Sequence, residues 1–213
     1  MSSIAVTPTA RRSHIFEREE NDHYAEPSWT SSRLFDVEKF NGPILDPCCG
    51  WGRIVDNAIT AGYEAFGSDV VDRTSKTKPW KFRRLNALAP QPDEVYRWWR
   101  RAPTIVSNPP FDEIEDVAAR CLAMATDAVA LICPLRRLPA AWPWLEKSPL
   151  ARVWLMTPRP SMPTGEFILA AEHGERDPKT GKKLKVGGGS QDFCWLVFRH
   201  GYVGEPTAGW LHR

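Results

Sequence analysis

Short apolar runs alternate with amphipathic stretches along most of the chain, the pattern of strands feeding helices in a parallel sheet. Pro43 to Cys48 (PILDPC) predicts a buried strand, and Trp51 to Tyr63 a helix that Gly62 ends. Ala65 to Val70 predicts the next strand, followed by a polar loop through Thr74 to Lys78. Phe82 to Leu88 reads as a third strand, Pro92 to Arg101 as a helix, and Thr104 to Ser107 as a fourth strand running into Asn108. Val117, Ala118, Cys121, Leu122 and Ala125 fall at helical spacing and predict a helix over Ile114 to Ala125. The all-apolar run Ala128 to Cys133 predicts a central strand, with Val153 to Met156 and Phe193 to Phe198 as the last two.

Two segments break the pattern. Residues 1–22 are polar and charged without periodicity and are expected to form a mobile arm, ordered structure beginning near His23. Glu172 to Ser190 is rich in Gly and Lys (Lys179, Lys182, Lys183, Lys185, Gly187, Gly188, Gly189), which predicts a flexible basic loop within an insertion near 162–191. The 213 residues, 42% hydrophobic, suit a single α/β domain, here assigned to 23–213.

A net charge of +2 and a pI near 8.3 are too mild to argue for nucleic acid by themselves. Cysteines at 48, 49, 121, 133 and 194 form no C-x-x-C pair, so no zinc site is expected and the thiols are read as reduced, in the cytoplasm. No apolar stretch reaches membrane-spanning length. The ten tryptophans fit a core or a base-stacking surface equally well; Trp98 and Trp99, inside an amphipathic helix, are read as packing.

Asp46-Pro47-Cys48-Cys49-Gly50-Trp51-Gly52 falls where a buried strand turns into a helix. Glycines there let backbone approach a ligand closely, and the helix start offers free N–H groups. A dinucleotide fingerprint needs a third glycine at position 55, which is Val55, so hydride chemistry is disfavoured. Asp46 argues for a cationic ligand group such as an amino acid ammonium. Asp69, ending the next strand with Asp72 close behind, can accept both hydroxyls of a ribose. Ammonium and ribose in one crevice point to S-adenosylmethionine (SAM). The plainer alternative is a tight turn with two solvated or capping carboxylates.

Ser107-Asn108-Pro109-Pro110-Phe111 follows the fourth strand, at the carboxyl end where α/β sheets bind ligands. An amino group on an aromatic ring has a delocalised lone pair and is a poor nucleophile. The Asn108 side-chain oxygen and the Pro109 carbonyl can accept its two hydrogens and aim its lone pair at a methyl group, while Phe111 stacks on a flipped base. Taken alone, Asn-Pro-Pro is also an ordinary turn.

Together the two motifs resemble the class I (Rossmann-like) SAM-dependent methyltransferases, most closely the small DNA N6-adenine methyltransferases often carried by phages and prophages. Asp46 to Gly52 is similar to that family's first cofactor motif, with Asp46, Pro47, Cys48, Gly50 and Gly52 as cofactor residues. Asp69 matches its ribose-binding acid and Asn108-Pro109-Pro110-Phe111 its catalytic motif, in the order of the gamma class. Tyr24-Ala25-Glu26-Pro27 resembles a degenerate Tyr-x-Thr-Pro segment beside the methionine part of the cofactor, with Glu26 in place of Thr. Asn86 stands where the family has an Asp that binds the adenine amino group, and an amide oxygen can accept that bond. The resemblance spans roughly Tyr24 to Phe198 and implies an α/β fold, with a mostly parallel seven-stranded sheet, an antiparallel last strand and helices on both faces.

The expected activity is methyl transfer from SAM to N6 of adenine in DNA. The alternatives are cytosine N4, an RNA base or a protein glutamine, or a module that binds SAM or nucleic acid without turnover. Lys179 to Lys185, Arg136, Arg137 and Arg159 are candidates for phosphate contacts or simply solvated charges. His23, His173 and His200 are scattered and given no catalytic role.

Overall fold

A computed structural model of the protein describes residues 24–74, 78–90, 92–187 and 189–213. The expected arm over 1–22 and the expected start at His23 lie outside the described residues, as does part of the polar loop over 74–78.

Among the described residues the strands β1 (Ile44–Asp46), β2 (Ala65–Asp69), β3 (Phe82–Arg84), β4 (Thr104–Ser107), β5 (Ala128–Pro134), β6 (Leu150–Thr157), β7 (Phe193–Arg199) and β8 (Thr207–His212) form one sheet in the order β3-β2-β1-β4-β5-β7-β6-β8. All run parallel except β7, which is antiparallel to both of its neighbours. The α/β fold class agrees with the sequence reading, with one strand more than the seven expected. The antiparallel strand is β7, and the added β8 pairs parallel to β6 at the sheet edge. Of the residues of β8 only Leu211 is buried, so no apolar run marks it in the sequence.

Strand ends depart from expectation where side chains take over backbone partners. β3 stops at Arg84 because Leu85 N–H makes one further bond to the Asp69 carbonyl, after which Asn86 turns the chain. β1 stops at Asp46, whose own carboxylate accepts the Cys48 N–H.

Among the described residues six α-helices flank the sheet. α1 (Ser28–Val37) and α2 (Arg53–Thr60) pack Leu34, Phe35, Ile54, Val55 and Ala58 against Ile44, Val106, Ala130 and Trp195 on one face. On the other, α3 (Asp93–Trp99) and α4 (Ile114–Met124) pack Trp98, Trp99, Val117 and Cys121 against Leu45, Ile105, Leu131 and Leu196. α5 (Leu138–Leu145) joins the second face through Leu138, Trp144 and Leu145. Neighbouring strand residues alternate between the clusters, as a two-sided sheet demands. Each fully buried large side chain contributes about 1.5–3 kcal/mol. Trp98 and Trp99 belong to this packing, the Trp98 ring lying tilted at 4.8 Å against Phe66. α6 (Gly165–Glu172), capped by the Thr164 hydroxyl, occupies the start of the expected insertion.

A polar network ties the amino-terminal side of the sheet together. The Glu38 carboxylate, 2% exposed, accepts bonds from Arg152 Nε (2.6 Å), Arg199 (2.7 Å) and the Trp154 indole N–H (2.9 Å), joining the end of α1 to β6 and β7.

Candidate active site

β1, β2 and β4 are adjacent and parallel, so their carboxyl ends bring Asp46, Asp69 and Ser107-Asn108 together at one edge of the sheet. The turn after β1 is built by backbone donors. Cys48 N–H donates to Asp46 Oδ1 at 3.1 Å, Cys49 N–H to the Ser68 carbonyl at 3.0 Å, and Gly50 N–H to Asp69 Oδ2 at 2.8 Å. Gly50 (φ 49°) and Gly52 (φ 81°) take left-handed conformations that favour glycine, and Gly52 opens α2. A side chain at Gly52 would run into the Trp80 ring, which Asp56 fixes through the indole N–H at 2.8 Å.

Asp46 is 1% exposed, and its burial holds the carboxyl well above the usual carboxylate range. The Ser107 hydroxyl, donating to Oδ1 at 2.7 Å, opposes that rise, while the charges of Glu26 and Asp69 add to it. Asp69 accepts a second backbone bond from Val71 N–H at 3.1 Å and pairs with Arg73 at 3.4 Å. Burial pushes the Cys48 thiol well up and the Cys121 thiol up to about 12, so neither is a nucleophile at neutral pH.

Asn108 follows β4 directly. Its Nδ2 donates to the Tyr24 carbonyl at 2.7 Å and to Glu26 Oε2 at 2.9 Å, which uses both amide hydrogens. Because a carbonyl can only accept, the Tyr24 contact fixes which way the amide faces. The other end, Oδ1, is buried and has no hydrogen-bond partner among the described residues. Such an orphaned acceptor costs free energy unless a ligand donor reaches it. The Glu26 segment is itself held, since Arg53 donates to the Glu26 carbonyl at 2.7 Å and Ala25 N–H to the Pro163 carbonyl at 3.2 Å. Burial raises the Glu26 carboxyl, against the bonds from its own backbone and Asn108 and the charge of Arg53.

These groups surround a cleft of about 450 Å³. Of the residues expected from the sequence, Tyr24, Pro47, Cys48, Gly50, Asp69, Asn86, Asn108 and Pro110 line it. Asp46 lies beneath the turn, Gly52 begins α2, Pro27 precedes α1, and Pro109 is buried. Phe111 begins a single 3-10 turn, its ring 6.2 Å from that of Tyr24 and nearly parallel to it, and 5.6 Å from Phe193. Asn86 Oδ1 already accepts from Leu88 N–H (2.8 Å) and Ala89 N–H (3.3 Å), so an adenine amino group competes there with two backbone donors.

The basic candidates divide. Arg159 makes a two-pronged pair with Asp192 (2.6 and 3.1 Å), and Arg137 pairs with Asp112 at 3.3 Å. Arg136, Lys179, Lys182, Lys183 and Lys185 are exposed. Sequence reasoning assigns Ser107 and Arg53 no role, and treats Glu26 only as a departure from a pattern. Ser107 is legible in principle, as a hydroxyl immediately before Asn108. The Glu26 and Arg53 contacts need the fold.

The cleft has the size of a small-molecule site, and its buried carboxylates with an orphaned acceptor favour a ligand carrying positive charge and N–H donors. No protein-family model matches the sequence, and no curated protein matches it. Among solved structures, a candidate RNA methyltransferase from Pyrococcus horikoshii aligns at 15% identity over 81% of each chain, with a TM-score of 0.50. The modification subunit of a candidate type I restriction enzyme from Vibrio vulnificus aligns at 13% identity over 88% of this chain and 47% of that one, with a TM-score of 0.51. The chain therefore spans about half the length of that subunit. At these identities the likeness is one of fold, and the chain has the Rossmann-like fold of the class I methyltransferases.

Proposed function

We propose that the protein is a SAM-dependent methyltransferase that methylates N6 of adenine in DNA. The observation that carries this reading is the Asn108 amide, clamped through both hydrogens by Tyr24 and Glu26 while its buried oxygen has no partner. The cleft fits the cofactor on two counts: its volume of about 450 Å³, and an acidic lining of Glu26 and Asp69, with Asp46 buried beneath it, suited to an ammonium and a ribose. Gly50 and Cys48 would hold the cofactor near backbone, Asp69 would accept its hydroxyls, and Tyr24 and Glu26 would lie at its amino acid end. When bound, SAM supplies an electrophilic methyl group and retains the electrons of the broken carbon–sulfur bond.

Asn108 Oδ1 and the Pro109 carbonyl accept the two hydrogens of the substrate amino group. This draws the nitrogen toward a tetrahedral shape and frees its lone pair for the methyl carbon; the nitrogen then releases one proton to solvent. Orientation of this kind is worth far more than a general base here, because the amine loses its proton only after it has reacted. Phe111 and Tyr24 offer ring faces to the base. The exposed lysines of 179–185 supply phosphate contacts.

A second reading keeps the mechanism and changes the polymer: the fold likeness to a candidate RNA methyltransferase favours an RNA base. Incubating the protein with tritiated SAM and either unmethylated plasmid DNA or total cellular RNA, in parallel, then resolving the nucleosides, separates these. Label in N6-methyladenosine that disappears in Asn108→Ala supports the proposal. Label in N4-methylcytosine changes the base, and label only in RNA changes the polymer.

A further inference from the structure

We propose that Glu26 is the positioning residue of this site, a buried carboxylate that clamps the Asn108 amide and lends its oxygen the negative charge that the loop after β4 lacks. The inference rests on the reading of Asn108 as the acceptor for the substrate amino group.

From Ser107 to Phe111 the loop contains no ionisable side chain, and the first that follows, Asp112, is paired with Arg137. A neutral amide is a weaker acceptor than a carboxylate. Glu26, 7% exposed, supplies what is missing from the other side, with Oε2 2.9 Å from Asn108 Nδ2. An amide whose N–H donates to an anion shifts electron density toward its own oxygen, an effect that low local dielectric strengthens. The oxygen so polarised is Oδ1, the buried atom without a partner. As a substrate nitrogen forms its new bond it acquires positive charge. A stronger acceptor, with a carboxylate behind it, therefore stabilises the transition state more than the ground state.

Among the described residues, the charged groups facing Glu26 are Arg53 from α2, which favours its ionised form, and Asp46 at the end of β1, whose charge interacts with it unfavourably. The segment at Pro163 and Thr164 that packs on Ala25 carries no charge. Burial raises the Glu26 carboxyl, so its proton is taken up nearer neutral pH than that of an exposed glutamate.

The test uses the whole protein and two readouts. In the first, the Asn108 side-chain amide is followed by NMR from about pH 5 to 9 without cofactor, its signal identified by its loss in Asn108→Ala. The resonance is expected to follow a carboxyl titration in wild type, and to lose that titration in Glu26→Gln, where the glutamine oxygen keeps the hydrogen bond without the charge. In the second, Glu26→Gln lowers kcat about tenfold at saturating SAM and DNA, where a change in cofactor affinity does not enter the readout. Its acid limb moves to lower pH, because the remaining Asp46 no longer feels a neighbouring anion. A wild-type Asn108 resonance that does not titrate, or one that titrates equally in Glu26→Gln, overturns the inference. So does an unchanged kcat with an unchanged acid limb in Glu26→Gln when Asn108→Ala is dead. Full activity in Asn108→Ala overturns the reading of Asn108 itself, and the inference with it.

Discussion

Replacing Asn108 by Asp is nearly isosteric, yet it reverses the polarity of the clamp. In wild type the amide nitrogen donates to the Tyr24 carbonyl at 2.7 Å and to Glu26 at 2.9 Å. A carboxylate in its place faces an acceptor in both directions. Two unit charges at the 2.9 Å of the present contact repel by about 6 kcal/mol at an effective dielectric of about 20, so the pair escapes by keeping one proton between them. Keeping it costs about 1.4 kcal/mol for each pH unit above an unfolded carboxyl pKa of about 4. Asn108→Asp is therefore expected to lose about 5–6 kcal/mol at pH 8, and only about 1–2 kcal/mol at pH 5. The sign follows from the raised folded-state pKa of an acid: the destabilisation begins above the unfolded pKa, grows with pH up to the folded pKa, and fades as pH falls back toward about 4. Urea unfolding at both pH values measures the difference directly, and at pH 8 the Tm should drop by about 10–15 °C. Adding Glu26→Gln should recover about half of the loss, since the new amide can donate to Asp at position 108. Equal destabilisation at pH 5 and pH 8, or no recovery in the double variant, refutes the clamp as described.

Glu38→Ala removes the acceptor for Arg152 and the Trp154 indole, while Arg199 keeps the Lys39 carbonyl and Asp127; a loss of about 2–3 kcal/mol in urea unfolding is expected, and less than about 0.5 kcal/mol would mean that the network is ornamental. Gly52→Ala forces a side chain into the Trp80 ring at a left-handed φ of 81°, for an expected loss of about 2–4 kcal/mol; a Tm within a degree or two of wild type counts against the turn geometry. Asp46→Asn keeps acceptors for Ser107 and Cys48 but removes a buried charge. It should raise stability by about 1–2 kcal/mol at pH 8, a gain that shrinks as pH falls below the folded pKa of Asp46 and is gone near an unfolded carboxyl pKa of about 4, and should weaken SAM binding in calorimetry. Replacing Lys179, Lys182, Lys183 and Lys185 by Ala should flatten the salt dependence of DNA binding, the log–log slope falling by about 0.9 for each phosphate no longer neutralised; an unchanged slope would remove the loop from the interface.

What is legible in the sequence is local. Asp46 to Gly52 and Ser107 to Phe111 each hold a strand end, a turn and a helix start within a few residues, so their placement on one sheet edge follows from reading parallel strands. The elements that escape a sequence reading lack a contrast in hydrophobicity. α1 carries three serines and a threonine, with hydroxyls turned back onto the helix carbonyls and the Pro27 carbonyl. α5 contains two prolines, one of them in its first turn, where a missing N–H costs little. Glu26 reads only as a substituted position, because its partner Asn108 is 82 residues away and no local pattern connects them. Asn86 and Arg159 show the converse. Each looks available for a ligand in the sequence, and each is engaged in the fold, one in a turn and the other with Asp192.

Glu26 and Asp69 line one cleft with Asp46 beneath it, and burial disfavours the charge of both Asp46 and Glu26. A core built for stability alone would place Asn, Gln or an apolar residue at such positions. The nearby arginines do not neutralise the floor fully: Arg73 pairs with Asp69, while Arg53 meets Glu26 through the backbone carbonyl. A cationic ligand bound here lowers the pKa of Asp46 and Glu26 and so binds more weakly as pH falls, each proton that must be displaced steepening the dependence. By linkage the same ligand stabilises the fold by RT ln(1 + [L]/Kd), about 2.7 kcal/mol at a hundredfold excess over Kd. Cofactor-induced stabilisation should therefore shrink as the buffer is made acidic, and shrink less in Asp46→Asn, where one of the protons to be displaced is gone.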